Sequence, residues 1–128
     1  MTDMNLRIDN LVSDLATTEL GFPDTFKGKS LPLITITDLD NNSNLILDGE
    51  ERLSAISYQI DIWDSSDNGK TRHTCEQLAA QISSRLISVN FTRSGAHYIK
   101  DPSGLHRKTM TFNGFLDTHT NIIYRRGF

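Results

Sequence analysis

The period of the hydrophobic positions changes along the chain. From Asn5 to Leu15, Leu6, Ile8, Leu11, Val12 and Leu15 recur at helical spacing, which predicts a short amphipathic helix with Thr2 or Asp3 as its cap. Gly21-Phe22-Pro23-Asp24 ends that pattern, because Pro23 drives Phe22 out of helical geometry and Gly21 tolerates a left-handed cap. The stretch to Ser30 reads as loop. Leu33 to Leu39 then alternates, with Leu33, Thr35 and Thr37 on one side and Ile34 and Ile36 on the other, and predicts a strand.

Turn-forming side chains follow at Asp40-Asn41-Asn42-Ser43-Asn44 and again at Asp48-Gly49-Glu50-Glu51. Together they predict a loop over about 38–53, with Leu45-Ile46-Leu47 as a small strand or an anchor inside it. Ser54 to Asp64 carries the clearest strand signal. Ile56, Tyr58, Ile60 and Ile62 share one face, and Ser57, Gln59, Asp61 and Trp63 share the other. That alternation predicts one buried and one solvated face, with a register fixed by the isoleucines.

After a turn at Ser65–Gly69, Cys75, Leu78, Ala79, Ile82, Leu86 and Val89 form a helical stripe, with Arg72, Glu76, Gln77, Gln81 and Arg85 largely off it. Three short strands complete the chain: His97–Lys100, Leu105–Leu116 and Ile122–Arg126, separated by Asp101-Pro102-Ser103-Gly104 and by Asp117–Asn121. The order is helix, strand, strand, helix, then a three-stranded meander. This predicts an α+β fold: a mixed, mostly antiparallel sheet of about four to five strands, with two helices packed on one face. The chain of 128 residues has the length of a single domain, 1–128, and carries enough apolar surface for one core.

Charge narrows the function classes. The net charge of −3 and the absence of a basic run longer than Arg125-Arg126 disfavour stable nucleic-acid binding, which rests on a basic face. The one cysteine, Cys75, cannot form an internal disulfide. No basic segment followed by an apolar one opens the chain, and no apolar run is long enough to span a bilayer, so an intracellular protein is expected.

A calcium loop counted from Asp38 would need Gly sixth and Glu twelfth, where Ser43 and Gly49 stand. Gly69-Lys70-Thr71 lacks the earlier glycine of a phosphate loop. His73 and Cys75 are two apart and do not face each other on a helix, and Cys75 falls on the apolar stripe as an inert thiol. His73, His97, His106 and His119 lack metal-ligand spacing. Asp61 and Asp64 flank Trp63 as a carboxylate pair that could do acid–base work, but opposite strand parity sends them to different faces. No catalytic residue, metal or cofactor is assigned. Trp63 stands out on the polar face, either covered by another segment or exposed as an interface anchor.

The segment Tyr58-Gln59-Ile60-Asp61-Ile62-Trp63-Asp64, followed by a short polar turn and a helix rich in Ala and Leu, resembles the tail-terminator (tail-completion) family of long-tailed bacteriophages. The likeness extends to the N-terminal helix, the Phe22-Pro23 loop, the Leu31-Pro32 lead-in and the final Ile123-Tyr124-Arg125. It implies a structural virion protein of the tail neck, made in the host cytoplasm and acting without catalysis. It implies a homo-oligomeric, hexameric ring that stops polymerisation of the major tail tube protein and docks a head-completion protein. A mildly acidic chain suits a ring through which DNA must slide. Candidate interface residues are Gln59, Asp61, Trp63, Arg125 and Arg126. The alternatives are a neck or head-closure subunit, a small metal-dependent nuclease using Asp61 and Asp64, or a binding module of the host.

Overall fold

A computed structural model describes residues 4–21, 29–47, 50–65, 71–100, 105–117 and 119–124. In chain order the elements are α1 (Met4–Val12), β1 (Thr17–Leu20), β2 (Leu33–Leu47), β3 (Glu50–Asp64), α2 (Thr71–Ser88), β4 (Thr92–Lys100), β5 (His106–Asp117) and β6 (Ile123–Tyr124). The strands form one six-stranded sheet in the order β1-β2-β3-β5-β4, with β6 also on β5. Among the described residues β1 and β2 pair in parallel, and the other four pairings are antiparallel. This is the α+β fold that the alternating periods predict.

The alternation in β3 does what it promised on one face. Ile56, Tyr58, Ile60 and Ile62 are buried against α1 and α2, together with Ile34 and Ile36 of β2 and Met110 and Phe112 of β5. From α1 come Met4, Ile8 and Val12, and from α2 come Cys75, Leu78, Ala79, Ile82 and Leu86. Burying each of the large α2 side chains contributes about 1.5–3 kcal/mol before conformational entropy is subtracted. Both helices therefore cover the same face. Phe91, just past α2, is 1% exposed and meets Tyr58 edge-on with ring centroids 6.4 Å apart. The turn that brings it there has Asn90 at φ 76°, and the Phe91 amide donates to Leu86 O over 3.0 Å.

Four expectations need correction. The loop over 38–53 is instead the far half of a long β2–β3 hairpin, with pairs from Asp40↔Ser57 to Leu47↔Glu50. The Asn- and Asp-rich segment is accommodated by register shifts at Asp38/Asp40, Ser43/Leu45 and Leu45/Ile46, where an extra residue interrupts the ladder without ending the strand. The residues at 48–49 lie outside those described, as do the Thr2 and Asp3 cap and the turn residues 66–69. β1 has too few residues to announce itself by alternation; it is formed by pairing with Leu33–Ile36 of β2. β4 begins at Thr92, five residues earlier than His97, because a register shift between Arg93 and Gly95 lets the strand run through Ser94-Gly95. The predicted N-terminal helix ends at Val12, and Leu15 packs on the core from the turn that follows.

Candidate functional site

The second face of the sheet carries Gln59, Asp61 and Trp63, and it is not the solvated surface that polar alternation predicts. Register puts Leu33 and Arg107 beside Trp63, and Thr35 and Thr109 beside Asp61. Leu33, Thr35 and Asp61 are fully buried, and Trp63 is 3% exposed. Gln59 is half-buried. Their polar atoms satisfy one another. Trp63 Nε1 donates to Thr35 Oγ1 over 2.9 Å, Gln59 Nε2 donates to Asp61 Oδ2 over 2.9 Å, and Arg107 Nε donates to Asp61 Oδ1 over 3.2 Å. The Arg107 guanidinium also lies 4.6 Å from the centre of the Trp63 ring.

The structure thus brings three of the five candidate interface residues together, but as a buried network. Asp61 and Trp63 are consumed within the chain rather than offered at its surface. Arg125 and Arg126 lie outside the described residues. Sequence reasoning overlooked Arg107, whose partner is an Asp 46 positions away, a relation that only register reveals.

Asp61 and Asp64 point to opposite faces, as their parity requires. Asp64 pairs with His106 within the β3–β5 ladder, and its charge acts on Cys75 on the helix side. Beside it, Glu76 Oε1 accepts from Lys108 Nζ over 2.7 Å and from Tyr98 Oη over 2.6 Å. Lys108 is buried, with its ammonium 4.5 Å from the centre of the Tyr98 ring. Burial pushes the Cys75 thiol from 9.0 up to about 11, aided by the charges of Asp64 and Glu76 and opposed by Lys108. Such a thiol is a poor nucleophile at neutral pH. His73 is exposed on α2 while Cys75 is buried. Among the described residues no group of three His, Cys, Asp or Glu side chains could hold a metal ion, and no helix is long and apolar enough to cross a membrane.

What the sheet does offer is strand edge. β1 covers β2 only from Leu33 to Ile36, and the Gly21 amide closes that cover with a 2.8 Å bond to Ile36 O. Among the described residues no strand pairs with the outer side of β2 from Thr37 to Leu47, nor with the outer side of β4. Asp38 and Leu39 are exposed on the first edge; Thr92, Arg93, Ser94, Gly95 and His97 are exposed on the second. A shallow groove of about 350 Å³, lined by Ser83, Ile87, Phe91, Thr92 and Arg93, adjoins the start of β4. No family model matches the chain, and no curated protein matches it.

Proposed function

We propose that the chain is a structural subunit that assembles into a ring, and specifically a tail terminator at the head-proximal end of a long phage tail. The observation that supports this reading is the pair of strand edges, at opposite ends of one sheet, that no strand covers among the described residues. Unpaired edges template further strand pairing, and soluble proteins normally blunt or cover them. Two different edges on opposite sides of a subunit provide the head-to-tail contact from which closed rings are built. The resemblance of Tyr58–Asp64 and its flanking elements to tail terminators supplies the specific identity.

In this reading the ring caps the major tail tube protein, receives a head-completion protein and lets DNA pass through an acidic lumen. The polar network around Asp61 serves the stability of the subunit rather than catalysis. The test is deletion of the gene in its phage, followed by electron microscopy of the tails. Tails of uncontrolled length are expected. Tails of normal length with heads failing to join would favour a head-closure subunit instead, and normal virions would sink both structural readings.

A further inference from the structure

We draw no further inference here: the strongest candidate, the exposed and uncharged face of α2 formed by Gln77, Ala80, Ser84 and Ser88 with the shallow groove at Ile87 and Phe91 beside it, carries nothing because nothing in the structure shows what covers it.

Discussion

Trp63 Nε1 donates to Thr35 Oγ1 across the β2–β3 pair over 2.9 Å, with both residues buried. The bond ties the indole to one rotamer on the second face of the sheet. It also explains how a Thr can be fully buried beside a carboxylate.

Replacing Thr35 by Val keeps the shape and removes this acceptor. A loss of about 1 kcal/mol is expected, read as a lower urea midpoint with unchanged slope. Trp63→Phe should cost more through lost burial. The double variant should cost less than the sum of the two, because the indole donor and its acceptor are removed together.

The Asp61–Arg107 pair predicts a stability effect where a nuclease would show an activity effect. The carboxylate is fully buried and the Arg107 side chain is 15% exposed. Arg107→Met leaves the charge of Asp61 without this partner in the interior, and a loss of about 3–5 kcal/mol is expected. Adding Asp61→Asn should recover part of that loss. If Arg107→Met melts within a degree of wild type, the network is not structural.

Cys75 makes a pH prediction. Its folded-state value is raised from 9.0 to about 11, so the folded chain holds this proton more tightly than the unfolded chain. The contribution is fully present below pH 9.0 and declines as pH rises through about 11. Denaturant titrations at several pH values should show that decline in wild type and a smaller one in Cys75→Ala. A thiol reagent at pH 8 should label the native chain far more slowly than the unfolded one.

Arg85 clamps the two helices. Its Nη1 donates to Leu11 O over 2.9 Å and to the Asp14 carboxylate just beyond α1. The Arg85 hydrogen bond holds the Asp14 carboxyl below its ordinary 3.8. The contribution of this pair is therefore present above 3.8 and is lost as pH falls below it. Arg85→Met should speed amide exchange in α1 while leaving the β3 amides protected. Equal acceleration in both elements would show that α1 does not open by itself.

Gly114 has close side-chain neighbours where a Cβ would stand. A Cβ there would meet Ile123 Cγ2 at 3.1 Å and Phe91 Cδ1 at 3.4 Å. Gly114→Ala should destabilise the chain by about 1–3 kcal/mol. Truncating the obstruction with Ile123→Val should make the same change cheaper, as a double-mutant cycle would read.

The local pattern alone carried the element types and one buried face. Ile56, Tyr58, Ile60 and Ile62 could only share a side because strand periodicity is two, and Leu78, Ile82 and Leu86 only because helix periodicity is near four. Those relations are short-range, so they are written in neighbouring residues. The long hairpin was hidden because Asn, Asp and Ser favour turns in isolation, whereas β3 lies alongside and supplies ladder partners that outweigh that preference. The fate of the polar face was hidden for the same reason. Asp61, Trp63 and Gln59 alternate as surface residues do, and only the lateral arrival of Thr35 and Arg107 makes their burial affordable. The edges of β2 and β4 that no described strand covers were likewise invisible, since an edge is defined by which strands arrive beside it. Sequence thus determined what each segment could become. Tertiary structure decided which polar groups are satisfied internally and which strand edges stay unpaired among the described residues, because both depend on contacts between residues far apart in the chain.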